Sequence, residues 1–513
     1  MSEAFPGLPP PPPPSPARDA SAVILWRPGP RGTEIFWVLR STKLGFAGGF
    51  RAFPGGRLDP ADREVEVAGL AGEDAAHVAC AVREVFEETG VLLAVGPPVS
   101  REDRRLAREA MLDGALSLAD FLRDHGLAVE GARFHPAGRW LTPEFVPVRY
   151  DARVFLARLP EGEEPEVWEG ELVHGEFLPA ADALARWSAG EALLHPPNLH
   201  AIRTLTRLAP EEALPVLRAP PRMDARHVTD WIEFQEGVFQ APLRTPTLPP
   251  AAHTNCWLVE LASGSGAGLA AIDPGSPWEE EQRVLEALLA AHAAQGRPLR
   301  EIWITHEHRD HVGGAAALAS RHGAPIRAHP ECIARLPAEA RSHARPLADG
   351  ELLHGRWRAL HTPGHARGHL AFHDERTGAL FAGDLVSTLS TIVIDPPEGD
   401  MGVYLSSLER CRALSATSKL GGLFPAHGSP APDGRAALEG AIAHRHARTA
   451  KVLDALAAGP GTLEEITARA YDDTPPAIHP LAARSCLATL ELLRREGRAA
   501  TSGDRWSATG QGS

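Results

Sequence analysis

The sequence predicts a multidomain protein of the α/β class, because it is long and contains separate stretches with regular apolar patterns. With 513 residues the chain exceeds one ordinary domain, and its length favours about three domains. Strand-like and helical patterns alternate in residues 21–208 and again in 227–440, whereas 441–513 is mainly helical. The proline-rich segment 209–226 is expected to be a linker, and residues 1–20, with six consecutive prolines, a disordered leader.

The first two stretches each begin with strands and continue into a helix. "SAVILWR" and "EIFWVLR" predict two strands that are separated by the turn-forming "PGPRG". A helical pattern then runs from about Asp74 to Glu88, and Gly90 is a suitable C-terminal cap. In the second stretch, "NCWLVEL" and "GLAAIDPG" predict strands, and a helix is expected from Glu279 to Ala294.

The third stretch predicts a winged helix. Three helical segments, "HRHARTAKVLDAL", "TLEEITARAY" and "HPLAARSCLATLELLRREGR", precede the hairpin-like "AATSGDRWSA". From Arg445 to Ala508 this tail carries nine Lys and Arg residues against eight Asp and Glu residues. A nucleic-acid surface is normally more basic, so a structural lid or a dimer contact is an equal alternative.

Composition excludes several classes of protein. The chain is 43% hydrophobic and 23% charged, as soluble globular proteins are, and its net charge of −14 argues against a broad surface for nucleic acid or anionic lipid. It has neither an apolar run of 18 residues nor the features of a signal peptide. Its five cysteines stand alone, which argues against a disulfide framework or a zinc ribbon and favours a cytoplasmic location.

A first set of candidate site residues lies in "REVFEETG", inside the first predicted helix. Glu84, Glu87 and Glu88 are spaced so that their carboxylates share one side of the helix. Such a density of hard oxygen ligands suits Mg²⁺ or Mn²⁺ holding a diphosphate, which would make these three residues metal ligands and catalytic residues. The alternative is a solvated acidic helix face.

Together with "AFPGG" at residues 52–56, this segment resembles the second half of the Nudix box. The matching residues are Arg83, Glu84, Val85, Glu87, Glu88, Gly90 and Val91. The first half of the box departs from the pattern, since its acidic position falls either on Ala75, counted back from Arg83, or on Asp62, counted forward from Gly56, with a long insertion following Asp62. The resemblance implies a Nudix α/β/α sandwich over residues 21–208.

The segment "LRSTKLGFAGGFRAFPGG" partly resembles a coenzyme A signature, with Gly45 where that signature has its second arginine. The insertion after "FPGG" and the segments "RWLTPEFVPVRYDARVFLA" and "LHPPNLHAIRTLTRL" are also similar to the Nudix-19-like coenzyme A diphosphatase subgroup. This likeness implies that Arg40 and Arg83 bind a substrate such as coenzyme A or an acyl derivative. The altered first half of the box leaves open a non-catalytic, sensing Nudix domain.

A second set of candidate site residues begins in "WITHEHRDHVGG", which follows a predicted strand. His306 and His308 would point to one face of an extended segment, and Asp310 and His311 would enter from the following turn. Imidazole combined with carboxylate is a ligand set of zinc and other first-row metals. "HTPGHARGH", "LFAGDLV" and "LFPAHGSP" each follow an apolar run and add His365, Asp384 and His427.

This pattern resembles the metallo-β-lactamase family, which implies an αββα sandwich over residues 227–440. The resemblance assigns His306, His308 and His365 to one metal. It assigns Asp310, His311 and His427 to a second metal, with Asp384 bridging both, so that two Zn²⁺ ions are expected. Asp310 is the catalytic candidate of this site. Asp273, in "IDPG", either orients a ligand or caps a turn.

The tail is similar to the end of the lactamase-beta-like protein 2 group, whose members include metal-dependent single-strand ribonucleases. We therefore expect a bifunctional metal-dependent hydrolase. Its Nudix head would cleave a nucleoside diphosphate linkage, and its dinuclear head an ester, thioester or phosphodiester. The expected partners are small molecules such as a coenzyme A derivative or a nucleotide, without a membrane. The alternative is a single-strand RNA endonuclease with a sensing Nudix domain.

Overall fold

The computed structural model describes residues 13–44, 47–168, 170–219, 232–261, 267–416 and 418–509. Most of the proline-rich leader therefore lies outside the described residues, and its last residues, 18–20, already belong to a strand. The chain divides into two compact units, Pro13–Glu236 and Gly237–Ser513. None of the helices in the described ranges is long and apolar enough to cross a membrane.

The first unit contains a seven-stranded mixed sheet with helices on both faces. Its strands are β1 Arg18–Gly29, β2 Gly32–Arg40, β3 Arg51–Ala52, β4 Gly55–Arg57, β5 Val67–Ala68, β6 Val129–Glu130, β7 His135–Leu141, β8 Tyr150–Arg158, β9 Leu172–Pro179 and β10 Ile232–Gln235. Its helices are α1 Gly72–Thr89, α2 Arg101–Leu112, α3 Leu118–Asp124, α4 Ala180–Ser188, α5 Pro196–Leu205 and α6 Pro210–Arg218. The strand order is β3-β2-β1-β8-β7, with β4 added to β1 and β9 to β2, and strands β5 and β6 form a separate pair.

Alternation along the central strands divides the apolar core of this unit into two layers. On β1, Val23 and Leu25 pack with residues of α1, whereas Ile24 packs with residues of α4 and α5. Successive side chains of a strand point to opposite faces, so both faces of this buried strand are apolar. The result is an α/β/α sandwich, with α1 ending at the left-handed Gly90 (φ 70°).

The expected linker contains a helix that the sequence analysis missed. Helix α6 begins with proline and two glutamates, which suit a first turn, and it includes Pro215. Its Ala213 and Leu217 are buried in the core of the first unit. Two fully buried apolar residues in such a short helix are too few to produce a visible periodicity in the sequence. Residues 220–226 of the expected linker lie outside the described part of the chain.

The second unit contains two packed sheets. Its strands are β11 Val238–Arg244, β12 His253–Glu260, β13 Leu269–Ile272, β14 Leu299–Trp303, β15 Ile326–Ala328, β16 Ala344–Pro346, β17 Leu352–Leu353, β18 Trp357–His361, β19 Leu370–Asp374, β20 Leu380–Gly383, β21 Leu423–Pro425, β22 Ala499–Ser502 and β23 Arg505–Ala508. Its helices are α7 Glu279–Ala294, α8 Arg309–Val312, α9 Ala315–His322, α10 Pro330–Ile333, α11 Ala338–Ser342, α12 Met401–Ala413, α13 Gly434–Ala457, α14 Leu463–Ala470 and α15 His479–Arg495.

Aromatic side chains join the two sheets face to face. Strands β11 to β16 form one sheet in that order, and β17 to β21 form the other. Trp257 contacts Phe381 and Phe424 across the interface, and Trp303 stacks on Phe372 at 5.0 Å. Such pairs bury large apolar areas and prefer these offset or edge-to-face geometries. Helices α12 and α13 cover the outer face of the second sheet, which gives the αββα layering.

Helix α13 connects the sandwich to the tail without a break, whereas the sequence suggested a new segment near residue 441. Leu438 and Ile442 in its first half pack into the sandwich core. Val452 and Leu456 in its second half pack into a separate cluster with α14, α15 and Trp506 of the hairpin. One continuous helix therefore belongs to two hydrophobic cores, and the apolar face changes partner rather than ending.

Candidate functional sites

The loops at one edge of the αββα sandwich bring together all seven residues of the second predicted set. Each loop directly follows a strand of one of the two sheets: β14 leads to His306, β18 to His365, β20 to Asp384 and β21 to His427. Helix α8 carries Asp310 and His311 one turn beyond His308. The strand ends are rigid, so the side chains that follow them are held in place.

Three imidazole nitrogens converge at the first position. The Nε2 atom of His306 lies 2.9 Å from Nδ1 of His308. The Nε2 atom of His365 lies 3.3 Å from the first nitrogen and 3.1 Å from the second. These three ring atoms form a group that could hold one metal ion.

A second group lies beside the first, and Asp384 faces both. The Asp310 carboxylate is 3.6 Å from Nε2 of His427 and 3.8 Å from Nε2 of His311. Asp384 places Oδ1 3.4 Å from Nε2 of His427 and Oδ2 3.4 Å from Nε2 of His365. One carboxylate thus presents a different oxygen to each group.

The polar atoms at the centre of this cluster fit a metal better than they fit any protein partner. Nε2 of His311 and Oδ1 of Asp384 are buried and make no hydrogen bond. Buried polar atoms in folded proteins are nearly always paired, and an unpaired one costs free energy. Both atoms are strong donors to zinc, and both lie in groups whose ligand atoms are all within 4.8 Å of one another.

In the first unit, helix α1 presents Glu84 and Glu88 toward the "FPGG" turn, and Glu87 pairs with Arg83. Arg83 donates to Glu84 at 2.9 Å and to Glu87 at 3.1 Å, and the Gly55 amide donates to Glu88 at 3.0 Å. Gly56 lies so close that an added Cβ would sit 2.5 Å from the Glu84 carboxylate. In the described residues these three carboxylates do not form a group with all ligand atoms within 4.8 Å.

Burial and mutual repulsion shift the pKa values of these glutamates. Burial raises the pKa of Glu84 to about 7, and the charge of Glu87 adds to the effect, although Arg83 opposes it. Burial also raises the pKa of Glu88 well above its usual range, with the charge of Glu84 contributing. Carboxyl groups held this way would be ionised by a bound cation, and oxygen is the donor that Mg²⁺ prefers.

Of the two positions considered for the first half of this motif, Asp62 is the one that contacts Arg83. Its two oxygens accept from Nε and Nη2 of Arg83 at 2.8 and 3.0 Å, and the residue is only 1% exposed. Ala75 lies within α1, on the face of the helix that is buried in the apolar core. The insertion that separates Asp62 from α1 includes strand β5, so the chain returns to Arg83 despite the added length.

Arg40, the other predicted substrate-binding residue, ends strand β2. Its charge lies close enough to Glu88 to lower the pKa of that carboxyl, against the larger effect of burial. Its buried Nε makes no hydrogen bond. Gly45, the position where the coenzyme A signature departs, lies outside the described residues.

Comparison with known families identifies the second unit. Residues 249–427, which include the seven clustered residues, match the model of the metallo-beta-lactamase superfamily. Residues 462–506 match the beta-lactamase associated winged helix domain. The chain contains a metallo-β-lactamase domain with its associated winged helix. The mixed α/β class and these two components of the predicted architecture are thereby confirmed.

Named relatives are similar to part of the chain. A hydroxyacylglutathione hydrolase of Pseudomonas paraeruginosa is 34% identical over 184 residues, which are 35% of this chain and 64% of that protein. An atrochrysone carboxyl ACP thioesterase of Paecilomyces divaricatus is 28% identical over 207 residues, 40% of this chain and 59% of that protein. The chain thus covers less than two thirds of either relative.

A solved structure of a NUDIX hydrolase from Alicyclobacillus acidocaldarius is also similar to part of the chain. The two share 30% sequence identity, with a TM-score of 0.36. The match covers 40% of this chain and 98% of that one.

Asp273 orients one of the clustered histidines in the metallo-β-lactamase domain. Its Oδ2 lies 2.8 Å from Nδ1 of His311, and it accepts from the Thr305 amide and hydroxyl at 2.8 and 2.6 Å. A hydrogen bond at Nδ1 fixes the ring and leaves Nε2 to face the cluster. Of the two roles open from the sequence, the geometry therefore supports orientation of a ligand.

His369 supports the cluster and was missed in the sequence analysis. It is fully buried, its Nε2 accepts from the Asp384 amide at 3.0 Å, and Nδ1 lies 2.8 Å from the Thr362 hydroxyl. At Gly383 an added Cβ would come within 2.7 Å of the same ring nitrogen, so the ring needs a glycine there. The third histidine of "HTPGHARGH", four residues after His365, was the available signal.

The electrostatics of the cluster favour neutral rings at His306 and His365 and an ion pair between His311 and the carboxylates around it. Burial, together with neighbouring imidazoles, lowers the pKa of His306 well below its usual value and that of His365 to about 4. Burial opposes ionisation of Asp384, but the charges of His427 and His311 outweigh it and hold the pKa of that carboxyl low.

Burial lowers the pKa of His311, but the charges of Asp310, Asp384 and Asp273 outweigh it and raise that pKa well above its usual value. Zinc is coordinated by neutral imidazole and ionised carboxylate, so His311 would release a proton when it binds the metal.

We expect Asp273→Ala to lower the free energy of unfolding of the zinc-free protein by about 3 kcal/mol, because three buried donors lose their acceptor. Asp310→Ala should change that free energy by less than about 1 kcal/mol, since its carboxylate has no such donors. Urea denaturation with a chelator present measures both. Equal losses in the two variants would contradict the distinction between orienting residue and ligand.

Proposed function

We propose that the metallo-β-lactamase domain is a hydrolase with a dinuclear zinc site. The observation that carries the proposal is the convergence of the seven side chains on one place, where the buried atoms His311 Nε2 and Asp384 Oδ1 lie 3.6 Å apart and make no hydrogen bond. The residues that would hold the two ions are His306, His308 and His365 for one, Asp310, His311 and His427 for the other, and Asp384 for both.

Zinc bound there would supply Lewis acidity, which lowers the pKa of water and polarises a carbonyl or phosphoryl oxygen. The chain's own residues contribute position and proton transfer. The Asp310 side chain is 16% exposed, more than the 11% of Asp384, so it is the carboxylate that an entering substrate and water meet. We assign it the role of accepting the proton of the attacking water.

A thioester is the substrate class that the relatives favour. One is named as an ACP thioesterase and another as a hydroxyacylglutathione hydrolase. The alternative of a single-strand ribonuclease needs basic side chains in the tail that are free for phosphates. Arg448 and Lys451 instead pair with Asp473, and Arg495 pairs with Asp400. We therefore favour a small thioester over RNA.

Asp310→Ala should lower kcat for a small thioester at least about a thousandfold, because a candidate ligand and the proton acceptor are lost together. Bound zinc, measured by mass spectrometry, should fall from about two equivalents toward one.

Asp349→Ala is the matched control for this variant, since Asp349 is an exposed aspartate of the same domain that pairs with Arg410. It should leave both zinc content and kcat unchanged. Wild-type protein that is free of metal and fully active on the thioester would refute the assignment.

We further propose that the first unit is a Nudix diphosphatase that uses Mg²⁺ or Mn²⁺. Its support is the packing of Glu84 and Glu88 against the "FPGG" turn, with Arg83 held by Asp62. A cation bound by Glu84, Glu87 and Glu88 would offset the repulsion and burial that raise the pKa values of the carboxyls. Arg40 lies beside Glu88, where it would meet the negative charge of a diphosphate such as that of coenzyme A.

Glu88→Gln should abolish diphosphatase activity on coenzyme A while leaving thioester hydrolysis at the wild-type rate, because one hard ligand is lost and the other site is untouched. Glu73→Gln, an exposed change on the same helix, should leave both activities intact. Measured in parallel, equal loss of both activities in Glu88→Gln would contradict separate sites. A wild-type protein without diphosphatase activity would leave the first unit as a sensing domain and refute this assignment.

A further inference from the structure

Helix α13 and helix α15 of the winged helix both contact the short backbone segment 392–394, which lies beside the cluster of candidate ligands. Arg445 of α13 donates a hydrogen bond to the carbonyl of Ile392. The amide of Ile394 donates to Oγ of Ser485, on α15, at 3.0 Å. Arg445 and Ser485 are 4% and 6% exposed, so both contacts are buried.

The same segment holds one of the candidate ligands on its other side. The carbonyl of Val393 accepts from Nδ1 of His365 at 2.8 Å. Successive carbonyls of an extended backbone point in opposite directions. The groups of Ile392 and Ile394 therefore face the winged helix, and the carbonyl between them faces the imidazole.

This carbonyl determines which nitrogen of His365 can bind a metal. A carbonyl only accepts, so Nδ1 must carry the proton and Nε2 keeps its lone pair. The Nε2 atom of His365 lies 3.3 Å from Nε2 of His306 and 3.1 Å from Nδ1 of His308. A shift of segment 392–394 would therefore move the His365 ring or break the hydrogen bond that keeps the proton on Nδ1.

Arg445 also supports the cluster by a second route. Its guanidinium lies 5.0 Å from the centre of the Tyr404 ring. The Tyr404 hydroxyl donates to the carbonyl of Leu385 at 2.7 Å, next to the bridging candidate Asp384. Burying a guanidinium is costly unless its hydrogen bonds and ring contacts offset the lost hydration.

We propose that Arg445 and Ser485 are positioning residues of the metal site, so that the winged helix is required for high-affinity metal binding. They fix segment 392–394, and the segment fixes His365. This inference rests on the proposed function, because it needs a metal at His306, His308 and His365. A tail that served only as a lid would leave metal affinity unchanged.

The test is a zinc titration of the full-length, zinc-stripped protein in competition with a chromophoric chelator. Wild type should bind two equivalents. Ser485→Ala should weaken the binding of one zinc equivalent about tenfold, because the segment that orients His365 loses a hydrogen bond. The affinity for the other equivalent should not change. Ser485→Thr restores a hydroxyl acceptor and should recover affinity to within about twofold of wild type.

Thr489→Val is the matched control. Thr489 is also a buried hydroxyl residue of α15, but its Oγ1 bonds to the helix's own backbone, at the carbonyl of Ser485. It should bind both equivalents as wild type does. Equal weakening in Ser485→Ala and Thr489→Val, or wild-type affinity in a folded Ser485→Ala, overturns the inference. Wild-type protein that binds no zinc refutes the proposed function itself.

A measurement on unaltered protein covers the case in which Ser485→Ala does not fold. If the segment and the metal are coupled, zinc must stabilise the contacts of the segment with the tail, because coupling is reciprocal. Hydrogen exchange of the amides at 392–394 should slow at least about tenfold on zinc loading. Unchanged exchange in protein that has bound two equivalents overturns the inference.

Discussion

The arrangement at the edge of the sandwich depends on the carboxylate of Asp384. Its two oxygens face different groups, at 3.4 Å from His365 on one side and 3.4 Å from His427 on the other. Oδ1 is buried without a hydrogen-bond partner, which is unfavourable for an ionised group unless cations surround it. The other six candidate ligands are arranged in two groups around this residue. Positive charge on both sides of the Asp384 carboxylate would offset the cost of burying it.

The fold meets this requirement with rigid strand ends and with contacts behind the ligands. Asp273 holds His311, His369 holds the backbone of Asp384, and Val393 holds His365. Asp273 follows a strand of the first sheet of the sandwich, and His369 precedes a strand of the second. Val393 lies in a loop that contacts the winged helix. The tail thus contributes no candidate ligand, and its side chains contact the backbone of residues 392–394 beside the site. Helix α13 packs in the cores of both the sandwich and the tail.

The sequence was sufficient for the features that depend on local spacing. The predicted candidate ligands of "HEHRDH" and the later His365, Asp384 and His427 lie in loops that follow apolar strands, and the structure places them close together. The helices at 72–89 and 279–294 were likewise predicted to within about two residues. The metal content of the cluster and the roles of the individual ligands stay predictions.

Features that depend on long-range packing could not be predicted. Helix α6 has too few buried positions to show a period, and α13 changes cores without a break in its pattern. Spacing alone did not show whether Asp62 or Ala75 lies near Arg83, because the answer depends on how the insertion after Asp62 folds. The link from Ser485 to His365 runs through backbone groups of residues 393 and 394, whose side-chain identities carry no signal.

The central claim is that two metal ions bind on either side of Asp384. Anomalous X-ray diffraction at the zinc edge, on crystals grown with zinc, tests it most directly. Two peaks about 3.5–4 Å apart are expected. One should lie against His306, His308 and His365, and the other against Asp310, His311 and His427. A single peak, or peaks elsewhere, in crystals of protein that hydrolyses the thioester would contradict the account.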